Sequence, residues 1–195
     1  MAGFVNIPMF PLSILPMPGE LVPLHIFEPR YKQLLHDLEV EDIRFGIYFA
    51  SDLNEEKIGS LMRLESIIKR HHTGECDIIV KCEDILSLGQ LFRTYQNKSY
   101  PGGDVRFHQV DGSRLPSTPL HEMFVEYMRL RKITKMEEPI SIYSVAQELS
   151  LDLQDRYKFL LLSDDRKDSF LISRVRYQTD IFKQEDKSRD LYHLN

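Results

Sequence analysis

The sequence predicts an α+β fold: a small β-barrel with one early helix, followed by a C-terminal helical subdomain. Three observations lead there. The chain opens on apolar segments interrupted by Pro11, Pro16, Pro18, Gly19 and Pro23, which give way abruptly to helical periodicity. β-formers then dominate a series of short stretches, set apart by polar breaks, as far as residue 110. Beyond Pro116 the apolar stripes all have helical spacing.

Each element follows from its local pattern. Prolines spaced as in residues 10–23 permit edge strands and tight turns and forbid a continuous helix. From Phe27 onward the apolar positions are Phe27, Tyr31, Leu34, Leu35 and Leu38, one face of a helix. Pro29 suits the first turn of that helix, where its missing N–H would be unpaired anyway. Glu28 favours the positive N-terminal end, and Phe27 and Tyr31 are expected to anchor the helix on the barrel. Residues 43–50 read as a buried strand, 51–57 as a loop, 58–68 as an extended segment and 72–75 as a turn. Residues 77–82 form the next strand. In the segment after it Leu86, Leu88, Gln90 and Phe92 share a face. Residues 100–110 close the set, with Pro101-Gly102-Gly103 as a bulge or bend. Five or six such strands make a closed or partly closed barrel, expected over residues 1–112.

The helical subdomain, packed on the barrel or extending from it, is expected over residues 117–190. Thr118 caps a helix that begins at Pro119 and carries the stripe Leu120, Met123, Phe124, Tyr127 and Met128. Glu137-Glu138-Pro139 ends that region. Ile142, Val145, Ala146 and Leu149 mark a second helix, and Leu153, Tyr157, Leu160 and Leu161 a third. The polar segment 163–168 precedes a fourth, with Leu171, Ile172, Val175 and Phe182. Residues 184–195 read as a charged, frayed tail.

Composition narrows the function. With 42% hydrophobic and 28% charged residues the chain is an ordinary globular protein. It has no apolar run near the length of a membrane span and no basic-then-apolar leader, so a cytoplasmic protein without membrane contact is expected. Two cysteines suit a reducing compartment. A net charge of −5 makes nucleic acid an unfavoured partner, because nonspecific binding rests on phosphate neutralisation.

The opening also resembles a known family. Phe10-Pro11-Leu12, Pro18-Gly19 and the uninterrupted Pro23-Leu24-His25-Ile26-Phe27-Glu28-Pro29-Arg30-Tyr31 are similar to the start of the Lon protease N-terminal domain, the substrate-binding module of that ATP-dependent protease. Gly59, Gly74 and Asp77-Ile78-Ile79 match the family more loosely, and Cys82 or Glu83 stands where it places a further glycine. The resemblance implies a PUA-like barrel with a trailing helical bundle. It also implies noncatalytic binding of peptide or unfolded-protein segments, linked to ATP-dependent proteolysis through a separate protease. None of the nine glycines is followed by lysine, so the phosphate-loop motif is absent. So are the Lon catalytic serine segment and its partner lysine. The expectation is a standalone recognition module without motor or peptidase. Fold analogy between PUA-like barrels and RNA-binding domains supplies an alternative, RNA binding.

Within that signature Pro18, Gly19, Pro23, Leu24, His25, Phe27, Glu28, Pro29, Arg30 and Tyr31 read as mainly structural. Glu28 and Arg30 could serve as an acid and a cation in a site, but helix starts routinely use such residues. His25 reads as a hydrogen-bonding residue. His71, His72, Cys76 and Cys82 have metal-ligand chemistry. On one strand, however, the two sulfurs would lie roughly 20 Å apart at about 3.3 Å per residue and could share neither a metal nor a disulfide. Cys76 lacks a third group to orient a base beside it. Arg129, Arg131, Lys132 and Lys135 are hemmed by Glu126, Glu137 and Glu138, and Arg166 and Lys167 by Asp165 and Asp168, so both groups read as solvated helix faces. Arg174, Arg176 and Lys183, with Asp180 among them, form no dense stripe. No catalytic residue, cofactor or metal site is expected.

Overall fold

The proline-studded opening folds as two strands, β1 (Val5–Leu12) and β2 (Leu21–Ile26), joined by a turn in which Gly19 takes φ +84°. In the computed structural model, which describes residues 3–135 and 139–192, they begin the first of two compact units, Met1–Gly112 and Ser113–Asn195. Helix α1 (Pro29–Glu41) follows, then β3 (Phe45–Phe49), β4 (Ile58–Arg70), β5 (Cys76–Phe92) and β6 (Gly102–Phe107). Neighbouring strands run β2-β5-β4-β3-β1-β6, and β6 pairs again with β5. Strands β5, β4, β3, β1 and β6 therefore close on themselves as a barrel. β2 stands outside the ring and, among the described residues, pairs only with β5.

That closure depends on the length of β5. The pattern suggested two segments flanking Glu83-Asp84, but the structure joins them in one strand of 17 residues. Its first part pairs with β2, from Ile26↔Cys76 to Leu21↔Lys81, and its last part with β6, from Leu86↔Phe107 to Phe92↔Gly102. The polar break is a slip in alternation: Ile85 and Leu86 are both buried. Asp84 uses it to accept the backbone N–H groups of Ile85, Gln109 and Val110 at 2.8, 2.9 and 3.0 Å. A second slip falls between Leu88 and Gln90, so Gln90 is exposed and does not share the buried face of Leu86 and Leu88. The irregularity expected at residues 101–103 thus lies on the partner strand. Gly103 is there for room, since a Cβ would sit 2.8 Å from Leu88 and 2.9 Å from Met9.

Helix α1 buries Tyr31, Leu34, Leu35 and Leu38 against Phe10, Ile26, Ile78 and Val80. Tyr31 stacks on Phe10 with ring centroids 3.8 Å apart. At about 1.5–3 kcal/mol for each fully buried large side chain, this face holds the helix. Phe27 does not take part, being 58% exposed. The cap residue Glu28 is still extended, so Phe27 continues the outward alternation of β2 and is not on the helix face. Buried Asn54 fastens the β3–β4 loop. Its amide donates to the Phe49 and Ile58 carbonyls and its oxygen accepts the Ile58 N–H, each at 2.8 Å.

The second unit contains α2 (Thr118–Leu130), α3 (Ile142–Glu148), α4 (Leu153–Leu161) and α5 (Asp164–Tyr192). Several details differ from the local reading. The N-cap of α2 is Ser117, one residue before Thr118, with no side-chain cap; its N–H donates to Asp168 Oδ1 at 2.7 Å. In α4 the buried anchor is Phe159, whereas Leu153 and Leu161 are each 40% exposed. Segment 163–168 is not a spacer, because α5 starts at Asp164. Lys167 is not on a solvated face: it is buried, with Nζ 2.8 Å from Asp164 Oδ1 and 5.9 Å from the Tyr143 ring. The charged tail continues as helix to Tyr192. Glu137 and Glu138 lie outside the described residues.

Candidate functional site on the outward face of β2

Alternation along β2 divides its side chains. Ile26 is buried and Val22 and Leu24 pack against the core, while Leu21, Pro23 and His25 face out. Residues directly opposite on an antiparallel neighbour share a face, which adds Lys81, Ile79 and Asp77 of β5. On β4, Ile68 falls at the register shift between Ile67 and Lys69. Leu21, Phe27 and Ile68 are 56%, 58% and 62% exposed on and beside this face. Among the described residues no strand pairs with the other edge of β2.

One end of this face carries charge. His25 Nδ1 lies 2.6 Å from Asp77 Oδ1, and His71 Nε2 lies 2.7 Å from Asp77 Oδ2. Hydrogen bonds from His25 and then His71 hold the Asp77 carboxyl below the usual range. Phe27 stacks on His25, centroids 5.9 Å apart. This grouping includes His71 from the sequence candidates but neither His72 nor the cysteines. Its signal was strand register, which sets His25 opposite Asp77 across 52 residues. Both cysteines are free and buried on β5; burial pushes the Cys82 thiol well up, which makes it a poor nucleophile.

The model of the family described as the ATP-dependent protease La (LON) substrate-binding domain matches residues 6–192. The chain belongs to that family. No curated protein matches its sequence at a significant level. Among solved structures, a Lon N-terminal domain protein from Xanthomonas campestris is similar at TM-score 0.68 and 20% identity, covering 87% of this chain and 98% of that one. The N-terminal domain of a Mycobacterium avium complex Lon protease gives TM-score 0.49 and 12% identity, over 92% of this chain and 98% of that one. At 20% identity the first likeness speaks to the fold.

In this Lon-family chain the signature residues divide between inside and outside. Pro18 is buried, and Gly19 turns the chain so that its N–H reaches the Cys82 carbonyl at 2.8 Å. Leu24 and Tyr31 point into the core. Pro29 takes the first turn of α1, and the Glu28 carbonyl accepts the N–H groups of Tyr31 and Lys32. Arg30 Nε donates to Glu28 Oε2 at 2.9 Å and its guanidinium lies 4.6 Å from the Tyr31 ring. Pro23, His25 and Phe27 remain on the outward face. Three basic side chains of the helical unit are engaged locally. Arg129 meets Glu126 at 3.7 Å, Arg131 lies over Tyr127 at 5.4 Å, and Arg174 contacts Asp155 at 2.6 Å. Among the described residues no helix is long and apolar enough to cross a membrane.

Proposed function

We propose that this chain binds extended, apolar protein segments without transforming them, and that it does so for ATP-dependent proteolysis carried out by a separate protease. The observation that carries the reading is the exposure of Leu21, Phe27 and Ile68 on and beside the strand that bears Pro23 and the family signature. A bound segment would cover these side chains and use the backbone groups on the open edge of β2, the strand-addition mode of recognition. Pro23 has no N–H, so it weakens pairing of the edge with a copy of itself and leaves side-chain contact as the main source of affinity. Covering three such side chains gains about 1.5–3 kcal/mol each, against the loss of translational and conformational freedom. A weak affinity, of micromolar order at best, is the expected result.

The test is fluorescence anisotropy with several chemically different unfolded substrates at micromolar concentrations. Leu21→Ser and Phe27→Ser should each weaken binding, and together abolish it, with thermal unfolding unchanged because both side chains are exposed. Flat signals for every substrate would remove the reading. Co-purification of an ATP-dependent protease from cell extract with the tagged chain tests the link to proteolysis, and its absence would break that link.

A further inference from the structure

Two imidazoles and a carboxylate meet at the end of β2, from three separate segments. His25 comes from β2, His71 follows the last residue of β4, and Asp77 is the second residue of β5. One donor atom from each lies within 4.8 Å of the other two, and the imidazole rings meet edge to face with centroids 5.8 Å apart. We propose that His25, His71 and Asp77 bind a divalent transition metal ion of the zinc type.

The donor set suits such an ion: imidazole nitrogen and carboxylate oxygen hold zinc, cobalt and nickel, whereas calcium and magnesium need oxygen cages. The backbone supports the placement. His25 is opposite Asp77 in the β2–β5 register. His71 is held by its N–H on the Glu75 carbonyl at 2.8 Å, and its own carbonyl accepts the Gly74 N–H at 2.9 Å. Gly74 makes that turn at φ +81°. Around a tetrahedral ion with bonds of about 2.0–2.1 Å, donors stand about 3.3 Å apart. The present separations of 2.6 and 2.7 Å open by well under 1 Å, and the widest donor spacing, at most 4.8 Å, closes by up to about 1.5 Å; both are side-chain rotations.

Proton accounting adds Glu75. In the hydrogen-bonded arrangement His25 Nδ1–H and His71 Nε2–H donate to Asp77. To bind a metal through those same nitrogens, each neutral ring moves its proton to the opposite nitrogen, with no net change in charge. The His25 proton then sits on Nε2, which lies 3.6 Å from Glu75 Oε2. A metal-bound histidine characteristically donates its second N–H to a carboxylate, and Glu75 comes within hydrogen-bond reach by a small side-chain rotation. The side chains of His25, His71 and Asp77 are 49%, 25% and 35% exposed, so the ion has an entry path and water can complete its shell. Lys69, opposite Asp77 across β4–β5, carries the same sign of charge as the ion and weakens its binding. A bound ion would tie the tip of the β4–β5 hairpin to β2 beside Phe27.

The experiment titrates the full chain with cobalt(II), read by visible absorption, and with zinc(II) in competition with a chromophoric chelator. One equivalent should bind, with a tetrahedral cobalt spectrum. His25→Ala, His71→Ala and Asp77→Asn should each weaken binding about tenfold or more, and Glu75→Gln by less. His72→Ala, an exposed histidine in the same turn, should change nothing. If a variant fails to fold, ring-nitrogen shifts in the unaltered protein decide the matter: zinc should move His25 and His71 and leave His72 in place. The proposal is overturned by the absence of saturable binding, by retained binding in Asp77→Asn, or by a zinc response centred on His72. None of these readouts depends on substrate binding, so the proposal of protein-segment binding stands or falls separately.

Discussion

Asp37 lies on the buried side of α1, yet it is charged. Tyr100 Oη donates to Asp37 Oδ2 at 2.7 Å, and Lys98 Nζ reaches the same oxygen at 2.9 Å. Burial alone would raise this carboxyl, but Lys98 and Tyr100 outweigh it and hold it below its ordinary 3.8. A depressed folded pKa contributes stability that is present above the unfolded value of 3.8 and is lost as pH falls through the lower, folded one. Asp37→Ala is thus expected to lose about 2–4 kcal/mol in urea unfolding at pH 7. The difference from the parent should shrink as the pH is taken down below 4. Gly59 gives a steric counterpart. A Cβ there would lie 2.4 Å from the Ile47 carbonyl oxygen, so Gly59→Ala is expected to cost about 1–3 kcal/mol or more. Gly3→Ala, with nothing within 4 Å of the added carbon, should be silent in the same thermal melts. Asp37 sits at a helical position among apolar neighbours, and no local pattern announces that Tyr100, 63 residues away, reaches it.

Among the elements, the β3–β4 loop and β5 show how polar residues are used in a barrel fold. Asn54 satisfies three backbone groups at once. Asn54→Ala removes all three bonds in a buried place, for an expected loss of about 3 kcal/mol, although the Phe49 carbonyl keeps the Ser51 N–H at 3.1 Å. The Ile58 amide, whose acceptor disappears, should exchange with solvent faster than its neighbours in β4. The loop at 51–57 was legible from its polarity, but its internal clasp was not. For β5, alternation is readable on either side of Glu83-Asp84, and a charged pair inside an apolar run reads as a break. The strand continues because Asp84 has partners at residues 109 and 110, a long-range fact. Helix α4 fails in the same way: 3.6-residue spacing fits the expected stripe, but the helix is turned so that Phe159 and Leu160 are inside. A short helix offers more than one apolar arc, and only the surface it meets decides which is buried.

For the whole molecule, charge and family point the same way. A chain with net charge −5, whose Arg129, Arg174 and Arg114 are paired with nearby acids, is poorly suited to a phosphate backbone. Retention on RNA is expected to be negligible near physiological salt, as filter binding across a salt series would show. Salt-sensitive retention would restore the PUA-like analogy as a functional one. The family itself was legible from the block at residues 23–31 together with Phe10-Pro11-Leu12 and Pro18-Gly19, and the match over residues 6–192 supports that reading. The α+β class followed from periodicity alone.

By itself the sequence determined the order of strands and helices, the buried side of α1 and membership of the Lon substrate-binding family. These rest on neighbours two to four residues apart, and such neighbours are present in any stretch of chain. Tertiary structure alone decided that β5 closes the barrel, that Phe27 faces water while Lys167 does not, and that His25, His71 and Asp77 meet. Each of these depends on register between strands or on packing between helices, where one residue of slip would move every side chain to the opposite face.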